Sequence, residues 1–305
     1  MLSVRFWGVR GSIPCPGHST VEFGGNTACL EIRADKRLVI VDLGTGIKPL
    51  GDWFMQNEFK NGPIDVDIFI SHTHWDHIMG FPMFTPIFIP GSKMRIRGPV
   101  DYNEDTLASI IGDQLSYRYW PVRQSELAAK IEYQELRETT IDLGGGLRVI
   151  TKYMNHPIFC LGYRFEYMGK SIVTAYDHEP FRNLFPTDPK DPGYSEEAAI
   201  EGEKTAAEEN ERILRFLSGA DVLIQDAQYT SQEFEKHLGW GHSSYEYAIE
   251  AACQASVKKL VLFHHDPNRT DEQLQALEDK YNTKAEGKTA PEVIMAREGL
   301  TVEAG

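Results

Sequence analysis

The chain of 305 residues contains few cysteines, and their placement argues against a disulfide framework. The four residues, Cys15, Cys29, Cys160 and Cys253, are far apart, and no two of them form a Cys-x-x-Cys pair. A chain of this size has no need of disulfide bonds, because it can bury a sizeable apolar core. We therefore expect reduced structural thiols and a cytoplasmic protein.

Long apolar runs are also missing. The first residues, MLSVRFWGVRGS, contain no apolar core of the kind found in signal peptides. No segment approaches the roughly 18 apolar residues that cross a membrane. The longest candidate, residues 78–90, is interrupted by Pro82, Pro86 and Pro90, and we expect it to form a buried loop that lines a site. We expect no membrane association.

Positive charge is scarce. Lysine and arginine number 31 against 45 acidic residues, which gives a net charge of −14. Such a surface repels nucleic acid backbones, whose binding requires lysine and arginine to displace counterions. The charge disfavours a long polyanionic substrate. It does not exclude a small anion that is attracted by a local metal charge.

Apolar periodicity predicts the order of the main elements. Strands are expected at residues 2–7, 27–32, 37–43, 66–70, 147–154, 161–167, 171–176, 221–225 and 258–263. Helices are expected at residues 47–56, 205–217, 243–253 and 271–281. Runs of strands with helices interposed favour an α/β fold, with a pair of mixed sheets and helices outside. We expect one domain over residues 1–305.

One segment departs from this pattern. Residues 179–203 contain four prolines, two basic residues and seven acidic ones, so their net charge is −5. We expect an irregular acidic insertion here, which is either a functional flap or a mobile loop.

The sharpest signal is the run HTHWDH at residues 72–77, directly after the apolar run VDIFI. In extended backbone His72 and His74 point to the same side, and a following turn can bring Asp76 and His77 around a second point. Nitrogen and oxygen ligands at two neighbouring points suit two divalent cations. The alternative is a polar surface loop that is rich in histidine by chance.

Further motifs accompany this run in a set order. HTHWDH resembles the HxHxDH signature of the metallo-β-lactamase fold superfamily. VDLGTG, YMNHP, VTAYD and LVLFHHDP resemble that superfamily's other motifs, through the residues Asp42, His156, Asp177 and His264. The resemblance implies an αββα sandwich, in which two mixed sheets pack face to face with helices outside.

The resemblance also implies a ligand set. One cation would be bound by His72, His74 and His156, the other by Asp76, His77 and His264, with Asp177 bridging the two. A hydroxide between the cations would then attack the substrate, and Asp76 is included among the catalytic residues. The nitrogen-rich set favours zinc, with manganese or iron as alternatives.

Several assignments within this set have alternatives. His178 is adjacent to Asp177, and His265 is adjacent to His264. His156 precedes a proline and could instead be a structural turn residue. Asp42 either caps a turn or orients a metal ligand.

Three more segments resemble the ribonuclease Z-like branch of the superfamily. GVRGSIPCPG and GGNTACLEI resemble its glycine-rich opening, and GWGHSSYEYA resembles its HST motif. The latter implies that His242 donates a proton to the leaving oxygen. Where that branch has HEAT, this chain has QDAQ, so Asp226 would replace the glutamate that orients the histidine. Alternatively, Asp226 is a helix N-cap and His242 is the polar entry to the next helix.

The expected substrate is a small anionic phosphodiester, either a cyclic nucleotide or a cyclic ribose phosphate. Ribonuclease Z grips tRNA with a basic arm, and no equivalent is recognisable here, so nucleic acid is less favoured. Candidate contacts are Arg10, Ser12 and Asn26 for phosphate, and Trp75, Phe81 and Tyr119 for a base. The alternatives are a tRNA 3′-processing endonuclease, a di-iron oxidoreductase and a non-catalytic module of the same fold. The sequence leaves open whether the chain forms a homodimer.

Overall fold

A computed structural model describes residues 1–100, 105–282 and 290–305. Within these ranges the strands are β1 (Leu2–Gly8), β2 (Cys29–Ala34), β3 (Arg37–Val41), β4 (Asp65–Phe69), β5 (Lys93–Pro99), β6 (Lys130–Leu136), β7 (Thr140–Asp142), β8 (Arg148–Met154), β9 (Cys160–Tyr167), β10 (Lys170–Ala175), β11 (Val222–Asp226), β12 (Lys259–Phe263), β13 (Glu292–Met295) and β14 (Thr301–Glu303). The α-helices are α1 (Ile47–Asn57), α2 (Trp75–Ile78), α3 (Leu107–Gly112), α4 (Glu196–Leu217), α5 (Ser231–Phe234), α6 (Tyr245–Gln254) and α7 (Asp271–Tyr281).

The strands form two sheets of seven with the same layout. The first has the order β14-β1-β2-β3-β4-β5-β6 and the second the order β13-β12-β11-β10-β9-β8-β7. Strands β3 to β6 run parallel in the first sheet, as do β10 to β13 in the second. The remaining pairs are antiparallel. Both sheets are therefore mixed, as expected.

The two sheets pack face to face over a shared apolar core. Its large buried side chains come from both sheets and include Phe6, Phe69, Tyr163, Phe165 and Phe263. On the outer side of the first sheet, α1 and α3 bury their apolar faces against β3, β4 and β5. On the outer side of the second sheet, α4, α6 and α7 do the same. The αββα sandwich predicted from the sequence is confirmed.

The helices of the second layer begin at ordinary capping residues. The Ser195 hydroxyl accepts from the backbone of Ala198 at the start of α4, and Ser244 caps α6 in the same way. Thr270 and Gln273 form a reciprocal capping box on α7. These side chains satisfy backbone N–H groups that have no partner within the helix.

The acidic insertion is shorter than the sequence indicated. Helix α4 begins at Glu196, so the irregular segment is 179–195 and not 179–203. That segment contains three acidic and two basic residues, which gives a net charge of −1. The other acidic residues lie on α4, where Glu196 and Glu197 occupy the first turn and interact favourably with the helix dipole. The prediction of an irregular segment up to residue 203 was therefore wrong.

The four cysteines are free. In the part of the chain that the structure describes, no helix has both the length and the apolar content needed to cross a bilayer. The segment 78–90 forms short helical turns, with Phe81, Phe84 and Ile87 buried against α1 and its sheet.

Candidate metal centre

Polar side chains from both sheets meet at one edge of the sandwich. The candidate residues follow the ends of β3, β4, β8, β10, β11 and β12: Asp42, His72, His74, Asp76, His77, His156, Asp177, Asp226 and His264. Because the carboxyl ends of parallel strands meet at one edge of a sheet, residues distant in sequence become neighbours. The sheets are fastened together at this edge, since the Tyr163 hydroxyl donates to the carbonyl of Ile70 at 2.5 Å.

Three imidazoles and a carboxylate form a first cluster. The Nε2 atom of His72 lies 3.0 Å from Nδ1 of His74, which lies 3.0 Å from Nε2 of His156. Oδ2 of Asp177 lies 3.4 Å from Nε2 of His72 and 3.9 Å from that of His156. These four residues can offer one ligand atom each to a single point.

A second cluster lies beside the first. The Nε2 atoms of His77 and His264 are 3.2 Å apart, and Oδ2 of Asp76 lies 3.1 Å from Nε2 of His264. Oδ1 of Asp177 is 3.3 Å from Nε2 of His264, while its Oδ2 is 3.5 Å from Nε2 of His77. The carboxylate of Asp177 therefore faces both clusters with its two oxygens.

The donor atoms fit two divalent cations. Ligands at about 2.0–2.1 Å in a tetrahedron stand about 3.3 Å apart, which agrees with the spacings within both clusters. The Oδ1 atom of Asp177 is buried and has no hydrogen-bond partner among the residues that the structure describes. A buried carboxylate oxygen without a partner is costly, and a cation between the clusters would satisfy it. The His/Asp cluster thus fits a dinuclear divalent-metal site.

Hydrogen bonds behind the histidines fix their orientation. Nδ1 of His77 donates to Oδ2 of Asp42 at 2.8 Å, and the Ser71 amide and hydroxyl also donate to that carboxylate. Nδ1 of His156 donates to the carbonyl of Gly241 at 2.9 Å. Each bond occupies Nδ1 and turns Nε2 toward the cluster, which is how a second partner orients an imidazole to bind a metal. The geometry agrees with the orienting role considered for Asp42.

Two residues of the site have unusual backbone conformations. Asp42 and His264, which directly follow β3 and β12, have φ angles of 64° and 63°. Residues other than glycine rarely adopt this left-handed region, and the strain typically costs about 1–3 kcal/mol. At these two positions the turn away from the strand directs the side chain toward the site.

The two adjacent histidines that could have competed for the metal point elsewhere. His178, next to Asp177, is buried and accepts a hydrogen bond from a backbone amide on Nδ1. His265, next to His264, donates from Nε2 to the carbonyl of Ala296 at 2.7 Å. Burial lowers the pKa of both imidazoles to about 3, so each is a neutral structural histidine.

His242 stands beside the clusters, paired with a buried carboxylate. Its Nδ1 lies 3.1 Å from Oδ2 of Asp226, which also accepts from the backbone of Ser243 at 3.0 Å. The ring of His242 stacks on that of His264, with centroids 5.1 Å apart. Burial acts to lower the pKa of His242, but the charge and hydrogen bond of Asp226 outweigh it and raise the pKa to about 9. The buried carboxylate of Asp226 therefore favours the protonated imidazole of His242.

The alternative placement of Asp226 as a helix N-cap does not hold. Asp226 is the last residue of β11, and the next helices, α5 and α6, are capped by Thr230 and Ser244. The carboxylate of Asp226 is fully buried and directed at His242.

Glu179 was not identified from the sequence. Its buried carboxylate accepts from the backbone of Gly239 at 2.7 and 2.9 Å and from that of Gly241 at 3.0 Å. Gly241 has φ 81°, and a Cβ atom there would lie 2.3 Å from Nδ1 of His156. Glu179 thus holds the loop that contacts His156 and leads to His242. Its partners are backbone amides about sixty residues away, which leave no signal in the sequence.

Arg10 does not contact the site in the way the sequence indicated. Its guanidinium is fully buried and donates to the carbonyls of Gly24 (2.7 Å), Asp266 (3.3 Å) and Arg269 (2.7 Å). It ties the opening loops to the start of α7 and is not available to a phosphate. A buried cation needs hydrogen-bond acceptors, and these three carbonyls offset the cost of burying the guanidinium.

Of the other candidate contacts, the structure places only some at the site. The side chain of Asn26 donates to Glu298, and Phe81 is fully buried, so neither faces a substrate. Ser12 does lie at the site, since its backbone N–H donates to Oδ2 of Asp76 at 2.7 Å. Trp75 and Tyr119 are exposed.

Comparison with known proteins agrees with this architecture. The family model of the metallo-beta-lactamase superfamily matches residues 23–156. A ribonuclease Z of Lactococcus lactis subsp. cremoris is 29% identical over 230 residues, which span 65% of this chain and 69% of the relative. The short form of human tRNase Z is 19% identical with a TM-score of 0.63, covering 99% of both chains. A diphosphatase from the PhnP family is 16% identical with a TM-score of 0.62, covering 99% of this chain and 98% of that one.

The sandwich has the metallo-β-lactamase fold, and the His/Asp clusters at its edge fit a dinuclear divalent-metal site. The chain is similar in sequence to ribonuclease Z and in fold to the short form of human tRNase Z.

Proposed function

We propose that this protein is a metal-dependent hydrolase, a phosphodiesterase that acts on a small cyclic phosphodiester. The observation that carries the proposal is the His242–Asp226 pair beside the metal clusters. An alkoxide is a poor leaving group, and a phosphodiester with such a group needs a proton donor at the leaving oxygen. An imidazole kept protonated at neutral pH and stacked on a metal-ligand histidine is suited to that task.

Two divalent cations at the centre would supply Lewis acidity and lower the pKa of a bound water. The residues of the chain perform the remaining steps. The carboxylate of Asp177 faces both clusters, and the hydrogen bond from His77 to Asp42 fixes the orientation of the His77 ring. His242 donates its proton to the departing oxygen, and Asp226 stabilises the protonated imidazole before the transfer.

Zinc is the proposed metal. The ligand set consists of five imidazoles, from His72, His74, His77, His156 and His264, and two carboxylates, from Asp76 and Asp177. Nitrogen-rich sets with tetrahedral spacing favour zinc, whereas oxygen-rich octahedral sets favour magnesium or manganese. Manganese and iron remain the alternatives, and elemental analysis of protein purified without chelator distinguishes the three.

A small substrate fits the charge of the molecule. The net charge of −14 opposes a long polyanion. Helix α4, in the outer layer of the second sheet, contains seven acidic and three basic residues. A small cyclic phosphodiester avoids this repulsion, because its phosphate contacts would all be made at the cationic centre.

A second candidate is a tRNA 3′-processing endonuclease. It is favoured by the ribonuclease Z relatives and by the full-length similarity to the fold of human tRNase Z. The same His242–Asp226 pair and the same clusters would serve that reaction, so the catalytic groups do not separate the two candidates.

Salt dependence separates the two substrates. We would measure kcat/KM of the zinc-loaded protein on 3′,5′-cyclic and 2′,3′-cyclic nucleotides, a cyclic ribose phosphate and a precursor tRNA, at 50 and 200 mM salt. The expected result is cleavage of a cyclic compound with weak salt dependence. Cleavage of the tRNA alone, with affinity falling by orders of magnitude over this range as for roughly 6–10 phosphate contacts, would establish the endonuclease instead.

A further inference from the structure

An apolar cavity of about 500 Å³ is lined by Thr73 and Trp75, which flank the cluster residue His74 in the chain. Ile78, Met79, Pro82 and Met83 continue the lining. A substrate held at the clusters therefore has an apolar space within reach, of the size that small ligands occupy.

Two aromatic side chains of this cavity are left uncovered by the fold. Trp75 is 76% exposed and Tyr119 is 73% exposed, and both line the cavity. Phe81 and Phe84, in the neighbouring helical turns, are completely buried in the core. The exposed aromatic rings thus contribute little to packing, and an exposed ring at the rim of a cavity offers a face for stacking.

Polar groups stand on the side of the cavity formed by α3 and the turn after it. Asp113 and Gln114 contribute to the lining there. A carboxylate accepts hydrogen bonds, and a primary amide both donates and accepts. Aromatic faces together with such groups complement a nucleobase, which has a flat π-face and a polar edge.

We propose that this cavity is a nucleobase subsite, so that the substrate is a cyclic mononucleotide and not a base-free cyclic ribose phosphate. The inference rests on the proposed phosphodiesterase function and narrows its substrate class. The base stacks on Trp75 and Tyr119, and its edge faces Asp113 and Gln114. The phosphate of the same molecule lies at the clusters beyond His74.

Equilibrium binding tests the subsite without requiring turnover. Calorimetry would compare adenosine 5′-monophosphate with ribose 5-phosphate on the zinc-loaded protein and on Trp75→Ala, Tyr119→Ala and Phe185→Ala. Phe185 is the matched control, because it is also an exposed aromatic residue but belongs neither to the cavity nor to the clusters. The wild-type protein should bind the nucleotide at least about 10-fold more tightly than the sugar phosphate, as expected for loss of one stacked base. Trp75→Ala and Tyr119→Ala should each reduce that ratio severalfold or more, and Phe185→Ala should retain it.

Equal binding of the two probes by the wild-type protein would overturn the subsite, as would a preference that survives both Trp75→Ala and Tyr119→Ala. The ratio of kcat/KM on a cyclic nucleotide to that on a cyclic ribose phosphate provides the second measurement. A nucleotide preference in binding without any phosphodiester cleavage would keep the subsite and refute the proposed function. Cleavage of the two substrates with equal kcat/KM would support the proposed function and refute the subsite. Tighter binding of a single-stranded RNA trinucleotide than of the mononucleotide would assign the base to an RNA end and overturn the choice of a free nucleotide.

Discussion

His242 is the residue whose chemistry most directly distinguishes a phosphodiesterase from a hydrolase of more labile bonds. It lies outside both ligand clusters, yet its ring stacks on that of His264 and its Nδ1 is bound to Asp226. The Nδ1 proton of this imidazole is held by the buried carboxylate, so the proton that would be transferred is the one on Nε2. The importance of that proton depends on how poor the leaving group is.

Replacing His242 by alanine should lower kcat by about 100-fold or more on a substrate with an alkoxide leaving group. Bis-p-nitrophenyl phosphate has a leaving group that needs little protonation, so its hydrolysis should fall far less. The measurement is kcat on both substrates for the wild-type and His242→Ala proteins. Equal losses on the two would mean that His242 positions the substrate or supports the fold.

The pH profile provides a second prediction for the same residue. Because the protonated imidazole is the active form and its pKa is raised to about 9, kcat should persist through neutral pH and fall as pH rises through about 9. Asp226→Asn removes the charge that raises this pKa, so the alkaline fall should move to lower pH, toward the ordinary 6.5 of histidine. An alkaline limb that stays in place in Asp226→Asn would assign it to another group.

At the level of single residues, most of the site could be predicted because its ligands occur in short motifs at strand ends. The sequence left open His178 beside Asp177 and His265 beside His264. In the structure both adjacent histidines bind backbone groups, whereas Asp177 and His264 lie in the clusters. The role of Arg10 could not be predicted in this way. Two of its carbonyl partners, on Asp266 and Arg269, lie more than 250 residues away, and the third, on Gly24, lies in the opening loop. Long-range backbone partners have no side-chain signature.

Among the elements, the loop from Gly239 to His242 depends on Glu179. We expect Glu179→Ala to reduce metal affinity or kcat by about 10- to 100-fold, because the loop that supports His156 and His242 loses its acceptor. Glu179→Gln should be milder, since the amide oxygen can still accept from a loop N–H. The measurements are metal affinity by competition with a chelator, and kcat at saturating metal.

Glu196→Ala provides the control for this loop, because that glutamate is exposed at the start of α4 and touches none of these groups. Metal affinity and kcat of Glu196→Ala should equal those of the wild-type protein. Unchanged values in Glu179→Ala would show that the loop keeps its conformation without the carboxylate.

Strands could be predicted from the sequence where most of their residues are buried and apolar. Strands β4, β11 and β12 are buried on both faces, and each has at least three apolar residues among its five. Strands β5 and β6 were missed because charged residues alternate along them. In β5 the apolar residues Met94 and Ile96 pack on the helix side, whereas Arg95 and Arg97 lie on the other face and pair with Asp67. The first turns of α4 were also missed, because their acidic residues resembled those of the preceding loop.

For the whole molecule, the clusters join the two sheets, and the cations should therefore stabilise the fold. Chelator treatment should lower the melting temperature, and restoring zinc should raise it, since a ligand at 1,000 times its Kd adds about 4 kcal/mol. Elemental analysis should find about two equivalents per chain. In Asp177→Ala the metal content and the rise in melting temperature on adding zinc should both be much smaller, because Asp177 faces both clusters.

His18→Ala is the matched control for the metal content, because His18 is an exposed histidine that lies outside both clusters. It should retain the full metal content and the full rise in melting temperature. A wild-type protein whose melting temperature and metal content do not respond to chelator would contradict the dinuclear centre.

The division of the ligands between the two sheets also affects how the protein is made. His77 and His264 meet at 3.2 Å although 187 positions separate them along the chain. A nascent chain carrying only the HTHWDH run offers half of each donor set, and such a fragment holds a cation weakly. Tight metal capture becomes available only after the residues of β12 have emerged from the ribosome and the second sheet has docked, because non-local contacts form late. Full metal occupancy therefore requires that both sheets have been synthesised and have folded. A chain that ends before β12 lacks His264 and is expected to bind metal weakly.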